Sequence, residues 1–288
     1  MKVFVTGGSG YLGRPTLRAL VGHGIEVTAL VRSEASAEAV TALGAVPVRG
    51  ELTDTDVLRE AARGAQGVIH LGQHDGPDTA AVDRAAADAL QDGAGVHPYV
   101  HTGGVWVYGD TQGVADEESP LAPPRLTAWR PENEKRVLAR AATGERPVVV
   151  MPGMVYGRSG GLIEHFYAAP GRAEGAVPCV GDGANHWALV HVDDIAELYV
   201  LALNAAAGSV YLGVSEEHPT AAQAAEALSR GIGRPGAVRR LDAAEAEDRM
   251  GPLAEAFTLD QRLTSARARR ELGWNPAHRD ALAEFARS

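Results

Sequence analysis

A cluster of glycines near the N-terminus has the spacing of a phosphate-binding turn. Gly7, Gly10 and Gly13 stand three residues apart, after the apolar run Val3–Val5 and before a helical pattern. In such a turn the first glycine permits the bend, the second admits a diphosphate, and the third lets the helix pack against the strand. Free N–H groups at the start of the helix then face the anion. We therefore predict a dinucleotide diphosphate site formed by Gly7, Ser9, Gly10, Tyr11, Leu12 and Gly13.

The end of the second predicted strand indicates which dinucleotide is bound. An NAD enzyme usually carries Asp or Glu there, but this strand ends in Val31-Arg32-Ser33, and Glu34 follows later. An arginine at this place can pair with a 2′-phosphate. Arg14, directly after the third glycine, could reach the same group. Either arginine could instead be a solvated surface charge, but together, and without the acid, they favour NADP over NAD.

Alternating strands and helices must position this turn. Apolar runs separated by helical segments of about 8–15 residues fill the first half of the chain, which is typical of an α/β fold with a doubly wound parallel Rossmann sheet. Right-handed crossovers place a ligand at the carboxyl ends of the strands. We predict a dinucleotide-binding domain over residues 1–151 and a smaller substrate-binding lobe over 152–288. A segment at about 188–206 is expected to return to the Rossmann core.

The composition excludes several classes of protein. A net charge of −10 without a basic stripe argues against nucleic-acid binding. No apolar run reaches the roughly 18–20 residues of a membrane span. The single Cys179 excludes an internal disulfide and a multi-cysteine zinc site, and the histidines lack the usual metal spacing, so we predict no metal. The expected partner is a small-molecule substrate, and the expected location is the cytoplasm.

Several further stretches carry a family resemblance. Besides the turn at Thr6–Gly13, they are Glu51–Asp54, Val68–Gly72, Val107–Gly109, Pro152–Gly157, His191–Ala196 and Glu271–Pro276. With these motifs the chain resembles the short-chain dehydrogenase/reductase superfamily, in its extended or atypical epimerase/dehydratase-like branch. The resemblance implies that Glu51 and Leu52 lie near the adenine. It also implies that Leu71, Gly72, Pro152 and Val155 border the rest of the cofactor. Dimers are common in this superfamily, so a homodimer is possible.

The catalytic residues of the family are where the match ends. The family uses a Ser or Thr together with a Tyr and a Lys four residues later, and Gly104 occupies the Ser/Thr position. No Tyr of this sequence has Lys four residues on. One register places Lys135 at the lysine position, with Pro131 in place of the tyrosine. A second register places Arg130 there, with Leu126 in place of the tyrosine. Lys135 or Arg130 could still hold the cofactor ribose, or both could face solvent.

Other residues must then supply the proton chemistry, because acid–base catalysis needs a titratable or hydroxyl group within reach of the substrate. The candidates are Thr102, which could also contact the cofactor, Tyr108 and His186, whose imidazole titrates near neutrality. His101 is expected to be a packed or surface histidine. Candidate substrate contacts lie at the expected edge of the site or, near residues 165–167 and 185–187, in stretches that the resemblance implies line the substrate pocket. They are Gly104, Trp106, Trp129, Arg130, His165, Tyr167, Asn185 and Trp187.

Three functions are compatible with this pattern. The favoured one is an NADP(H)-dependent oxidoreductase that acts on a small metabolite with a non-standard proton donor. The second is an isomerase, lyase or cyclase that keeps the cofactor without net redox chemistry. The third is a catalytically silent NADP sensor.

Overall fold

The structure is built around a sheet of seven strands whose neighbours all run parallel. It is a computed structural model that describes residues 1–287. The strands are β1 (Lys2–Thr6), β2 (Glu26–Val31), β3 (Val46–Arg49), β4 (Val68–His70), β5 (Pro98–Thr102), β6 (Val114–Ala115), β7 (Arg146–Pro152), β8 (Met154–Tyr156), β9 (Val177–Val180), β10 (Leu189–His191), β11 (Ser209–Gly213), β12 (Val238–Leu241) and β13 (Arg262–Leu263).

Helices connect these strands. They are α1 (Gly13–Gly22), α2 (Glu34–Thr41), α3 (Thr55–Arg63), α4 (Thr79–Ala94), α5 (Arg130–Ala139), α6 (Gly161–Ile163), α7 (Ala169–Glu174), α8 (Val192–Ala202), α9 (Ala221–Gly231), α10 (Ala243–Met250), α11 (Leu253–Phe257), α12 (Ala266–Leu272) and α13 (Ala281–Phe285). Short 3-10 turns span Val105–Tyr108, Arg125–Thr127 and Arg140–Thr143, and a π-helical turn spans Glu164–Ala168.

The strand order creates the crevice in which a ligand is expected. The order in the sheet is β3-β2-β1-β4-β5-β7-β11. The chain winds outward from β1 in one direction and then, from β4, in the other. The loops after β1 and β4 therefore diverge at the carboxyl edge, where doubly wound sheets bind their ligands. The predicted α/β fold with a Rossmann-type parallel sheet is confirmed.

Helices cover both faces of the sheet. Side chains alternate along β1, so Val5 enters one core and Phe4 enters the other. Val5 shares its core with Leu17 of α1 and with residues of α8. Phe4 shares the opposite core with Leu58 of α3 and with residues of α4 and α5. The inner strands of the sheet are thus buried on both sides, which agrees with strands that read as continuous apolar runs.

One late segment returns from the second lobe to the sheet. Helix α8 packs against α1, and β11 pairs with β7 at the edge of the sheet, from Ser209 opposite Val148 to Gly213 opposite Pro152. The return therefore extends to Gly213, beyond the span of about 188–206 expected from the sequence. Local sequence does not indicate this pairing, because β11 joins the edge of the sheet only after the chain has passed through the second lobe. The division of the chain at 151/152 stays a prediction.

The second lobe has a core of its own, rich in aromatic residues. Short parallel ladders join β8 to β10, β9 to β12 and β6 to β13. The rings in the core are those of Tyr156, Tyr167, Trp187, Phe257 and Phe285. Across residues 1–287, none of the helices combines the length and the apolar character needed to cross a membrane.

A buried carboxylate ties the C-terminal segment to α8. Asp194 accepts hydrogen bonds from the backbone N–H groups of Ala277 and His278, each at 2.9 Å, and its backbone carbonyl accepts one from Trp274 Nε1, also at 2.9 Å. Two motifs that lie 80 residues apart in the sequence are therefore in contact, the one at His191–Ala196 and the one at Glu271–Pro276.

Candidate functional site

The glycine turn after β1 is built on two close approaches of the backbone. Gly7 has a φ of +71°, and a Cβ there would lie 2.7 Å from the nitrogen of Gly72, at the end of β4. A Cβ at Gly13 would lie 2.1 Å from the carbonyl oxygen of Gly7. No side chain larger than hydrogen fits at either position, so the turn lies directly against both β4 and the start of α1.

The start of α1 is open to an anion. Among residues 1–287, no side chain caps this end of the helix, and its first turn contains no acidic residue. The unpaired N–H groups and the helix dipole therefore attract a phosphate. Arg14 lies beside the turn, where its Nε donates to the carbonyl oxygen of Ser9 at 2.9 Å. The turn thus fits the diphosphate of a dinucleotide.

Tyr11 links the turn to the second lobe. Its hydroxyl donates to the carbonyl oxygen of Gly157 at 2.8 Å, and its ring lies where a Cβ on Gly160 or Gly161 would need to be, 2.6 Å away in each case. Burial raises the pKa of this phenol far above its usual value. Leu12, the next residue, is half-buried against the core that contains Val5. Tyr11 therefore fixes the rim of the second lobe over the turn.

Arginines dominate the end of the crevice where the second half of a dinucleotide would lie. Arg32 is exposed directly after β2. Glu34, the only nearby acid considered from the sequence, is paired with Arg49, which lies opposite Val31 at the end of β3. Arg49 was not predicted as a site residue. Its position at the end of the third strand, next to the end of β2, could have indicated it. Arg32, Arg49 and the paired Glu34 therefore lie together at this edge of the sheet.

The segment after β3 approaches the end of β4. The N–H of Glu51 donates to the carboxylate of Asp54 at 2.7 Å, while the Glu51 side chain is exposed. Leu52 packs against Gly72, and a Cβ at Gly72 would lie 3.0 Å from Leu52 Cδ2. Leu52, Leu71 and Gly72 also line the pocket described next. The cofactor contacts that the resemblance implied for these residues stay a prediction.

A pocket opens where β4, β5 and α5 meet. Arg130, the first residue of α5, extends over it. Its Nη1 donates to the carbonyl oxygen of Thr102 at 3.2 Å, its Nη2 lies 3.5 Å from Gln73 Oε1, and its guanidinium lies 4.6 Å from the ring centre of Trp129. Further pocket-lining residues are His70, His74, Thr79, Asp83 and Thr102. The pocket therefore has one fixed cation beside an aromatic ring.

The position of Arg130 discriminates between the two registers proposed for the missing Tyr–Lys pair. Arg130 reaches the pocket, whereas Lys135 is exposed farther along α5. The structure thus supports the register in which Arg130 replaces the lysine and Leu126 replaces the tyrosine. Lys135 is not brought to the pocket, because its place in the helix turns it towards solvent.

Beneath the pocket lies a buried group of polar side chains. His70 Nε2 is 3.8 Å from Asp83 Oδ1, and His101 Nε2 is 3.9 Å from Asp83 Oδ2. Burial lowers the pKa of His101 to about 3 and also lowers that of His70, although the nearby Asp83 carboxylate opposes the shift in both cases. Both imidazoles are therefore neutral at neutral pH. His101 is packed, as expected, but its pairing with Asp83 was not predicted.

Glu134 is a second buried acid close to the site. Its side chain is 3% exposed, and a Cβ at Gly103 would lie 2.7 Å from its Oε1. Among residues 1–287, that oxygen has no hydrogen-bond partner. Burial raises the pKa of Glu134 to about 7, Asp83 adds to the shift, and Arg130 opposes it. Glu134 was not among the site residues predicted from the sequence.

The three candidate proton donors occupy different environments. Thr102 lines the pocket, and its hydroxyl donates to the carbonyl oxygen of His70 at 2.7 Å. Tyr108 ends the 3-10 turn and is 3% exposed within the core, and burial raises its pKa far above the usual value. His186 belongs to the second lobe, where its Nδ1 lies 2.7 Å from Asp260 Oδ1. The structure brings only Thr102 to the pocket.

Two of the candidate substrate contacts are core residues, and a third, Asn185, is half-buried beside them. Tyr167 and Trp187 are 1% and 3% exposed, and their ring centres lie 5.1 Å apart. Asn185 Nδ2 donates to the carbonyl oxygens of Phe257 and Leu259. These side chains hold the second lobe together instead of lining the pocket, because the rings bury more apolar area by packing on Phe257 than they could in a polar crevice.

The remaining candidates lie nearer the surface or beside the crevice. Trp106 is half-buried with its ring centre 6.1 Å from that of Phe257, and His165 is exposed against Phe166. Gly104 has open space at its Cβ position. Pro152 ends β7, and Val155 lies partly buried in β8. None of these five belongs to the pocket lining described above.

Comparison with known proteins agrees with this geometry. A family model described as the NAD dependent epimerase/dehydratase family matches residues 3–212. A ketoreductase of Stigmatella aurantiaca, which acts on 4-hydroxy-2-methyl-3-oxo-4-farnesyl-3,4-dihydroquinoline-1-oxide according to its name, is 38% identical over 178 residues. That alignment covers 54% of this chain and 51% of the ketoreductase.

Solved structures show the same fold over the whole length. The dTDP-glucose 4,6-dehydratase DesIV of Streptomyces venezuelae, solved with NAD bound, is 25% identical with a TM-score of 0.81, and the match covers 100% of this chain and 96% of DesIV. A human epimerase family protein solved with NADPH is 23% identical with a TM-score of 0.78, and the match covers 99% of each chain.

Proposed function

Since the chain belongs to the NAD-dependent epimerase/dehydratase family of the short-chain dehydrogenase/reductase superfamily, we propose that it is an NADP(H)-dependent reductase of a small carbonyl compound. Family membership supports an enzyme that uses a nicotinamide cofactor. The single observation that carries the proposal is the position of Arg130, which lies over a pocket bordered by the cofactor-side residues Leu71 and Gly72.

The preference for NADP is part of the proposal, because relatives of this fold bind either cofactor. Arg32 is exposed at the end of β2, and Arg49 neutralises Glu34. The Arg32→Ala substitution should weaken NADPH binding about tenfold or more, since a hydrogen bond to a charged group is lost, and leave NADH binding nearly unchanged. Arg18→Ala, exposed on α1, is the control. Equal losses for NADPH and NADH would contradict the preference.

The pocket suggests how the chain would treat a carbonyl substrate. The cofactor, when bound, supplies the hydride. The N–H groups of Arg130 hold the substrate oxygen and stabilise the negative charge that develops on it. Trp129 provides an apolar face beside that cation. Thr102 uses its proton in the bond to His70, so it is suited to accept a hydrogen bond from the substrate and not to donate one.

Consumption of NADPH at 340 nm with a panel of small ketones and aldehydes tests the activity. Arg130→Ala should lower kcat on the order of 100-fold through loss of charge stabilisation, and Arg130→Lys should recover part of it. Arg136→Ala is the control, because Arg136 lies on the same helix and pairs with Asp88 at the surface. Tight NADPH binding without turnover of any carbonyl would overturn the proposal, and would favour a silent sensor. Product formation without net oxidation of NADPH would also overturn it.

A further inference from the structure

Three potential metal ligands meet beneath the pocket from three different elements. His70 ends β4, His101 lies directly opposite it on β5, and Asp83 reaches them from α4. The two Nε2 atoms lie 3.8 and 3.9 Å from the carboxylate oxygens of Asp83, and the ligand atoms all lie within 4.8 Å of one another. The distances to Asp83 are too long for hydrogen bonds.

Both Nε2 atoms are buried donors or acceptors that the protein does not satisfy. His70 and His101 are 2% and 1% exposed, and among residues 1–287 neither Nε2 has a hydrogen-bond partner. Leaving a buried polar atom unpaired costs about 1–3 kcal/mol. Two such atoms that face one carboxylate indicate that this space binds a ligand with which all three can interact.

The outer contacts of these side chains direct them towards a common point. His70 Nδ1 lies 2.6 Å from Thr6 Oγ1, and His101 Nδ1 lies 2.9 Å from the hydroxyl of Tyr99. The Thr6 hydroxyl oxygen also accepts from the N–H of Gly72 at 3.0 Å. In the tautomers that carry the proton on Nδ1, both rings donate to these hydroxyl oxygens, and the Nε2 lone pairs are then free to coordinate. Asp83 Oδ2 in turn accepts a hydrogen bond from Asn133 at 2.9 Å. Hydrogen bonds from ligating imidazoles and carboxylates to outer groups are usual around protein metal sites.

From this geometry we propose that His70, Asp83 and His101 bind one divalent transition-metal ion such as Zn²⁺. Two imidazoles and a carboxylate are a common ligand set for such ions, and three protein ligands leave a coordination position open. Around an ion at about 2.0–2.2 Å the ligand atoms lie roughly 3.0–3.6 Å apart. The two distances to Asp83 therefore need to shorten by a few tenths of an ångström, and the widest separation in the set, which is at most 4.8 Å, by up to about 1–2 Å. The ion would lie at the floor of the pocket, which His70 and Asp83 also line.

A second histidine group provides a contrast within the same chain. His191, Asp193 and His278 also lie close together, but the two imidazoles stack at 3.7 Å. The N–H of Asp193 donates to His191 Nδ1, and Asp193 pairs with Arg158. Because these ligand atoms are already used, the group is not expected to bind a metal, and it serves as the internal control.

Metal binding is measured on the full chain without an affinity tag, after treatment with EDTA, and in the absence of cofactor and substrate. We expect one equivalent of Zn²⁺ by calorimetry, and a Co²⁺ complex with visible absorption typical of nitrogen and oxygen ligands. Asp83→Asn, which keeps the shape of the side chain, should abolish the tight site. Tyr99→Phe should weaken Zn²⁺ binding about 10–100-fold by removing an outer contact. His278→Ala should leave it unchanged.

The design separates a metal site from the other interpretations. Circular dichroism and thermal unfolding of Asp83→Asn establish that it folds, so that lost binding reports on the ligand. Absence of stoichiometric Zn²⁺ and Co²⁺ binding to the parent chain would overturn the proposal, and a bound water would then be the better occupant. Binding that persists in Asp83→Asn but disappears in His278→Ala would also overturn it. Because no cofactor or substrate is present, these outcomes do not depend on the proposed reductase activity.

Discussion

The buried carboxyl of Glu134 makes the stability of the protein depend on pH in a direction that can be calculated. Its pKa is raised from 4.5 to about 7 in the folded chain, chiefly by burial. The folded state therefore holds a proton that the unfolded state releases. A group with this shift lowers the free energy of unfolding as the pH rises from about 4.5 to about 7.

The magnitude follows from the size of the shift. A pKa difference of about 2.5 units corresponds to about 3.4 kcal/mol when the carboxyl is ionised in both states, of which about 2.5 kcal/mol falls between pH 5 and pH 8. The Glu134→Gln substitution removes this titration. Relative to the parent chain, the variant should therefore gain about 2.5 kcal/mol of unfolding free energy on going from pH 5 to pH 8.

Urea unfolding at the two pH values, followed by circular dichroism, measures this difference. EDTA is included so that an ion at Asp83 does not alter the electrostatics. The control is Glu132→Gln, because Glu132 is an exposed residue of the same helix. The difference in unfolding free energy between this variant and the parent should be almost the same at both pH values. If the curves of free energy against pH for the parent and Glu134→Gln run parallel, then Glu134 ionises normally in the folded state and the reasoning is refuted.

Two other predictions test the architecture of the site. Gly13→Ala should abolish NADPH binding, measured by fluorescence titration, because its Cβ would lie 2.1 Å from the carbonyl oxygen of Gly7. The control is Gly22→Ala, which has open space around its Cβ. It should bind NADPH normally and stabilise α1 by up to about 1 kcal/mol. Asp194→Ala should lower the free energy of unfolding by about 2–5 kcal/mol, since two backbone N–H groups lose their acceptor. The matched substitution Asp193→Ala breaks only a partly exposed ion pair, so it should lower the free energy of unfolding by less than about 1 kcal/mol. Equal losses for the two aspartates would contradict this account.

The fold could be predicted because its signals are local. The glycine spacing at 7, 10 and 13 needs only a strand before it and a helix after it, and both are legible in the sequence. The strand β11 could not be predicted in the same way. Its place at the edge of the sheet depends on the path of a chain that first leaves for the second lobe and then returns.

The candidate site was harder to predict, because the same types of residue can pack in the core or line a pocket. Tyr167 and Trp187 are aromatic residues that the sequence analysis placed among the candidate substrate contacts, yet here they pack on Phe257. Only the packing decides between these roles. His70 and His101 illustrate the opposite case, since they occupy equivalent places in adjacent strands, and the strand order of a doubly wound sheet predicts that they are neighbours. Asp83 lies in an Ala-rich helix and carried no signal in the sequence.

The substitutions at Arg130 and Leu126 are consistent with each other. The resemblance implies a lysine that works together with a tyrosine, and this chain lacks the phenol at that position. A guanidinium stays protonated throughout the accessible pH range and cannot exchange a proton with substrate, but its planar set of donors holds an oxygen more rigidly than an ammonium does. Arg130 is therefore suited to bind and polarise a carbonyl, and the proton must reach the product oxygen from another group or from solvent. Its rate contribution should then be independent of pH, whereas an Arg130→Lys variant should lose activity as the amine deprotonates.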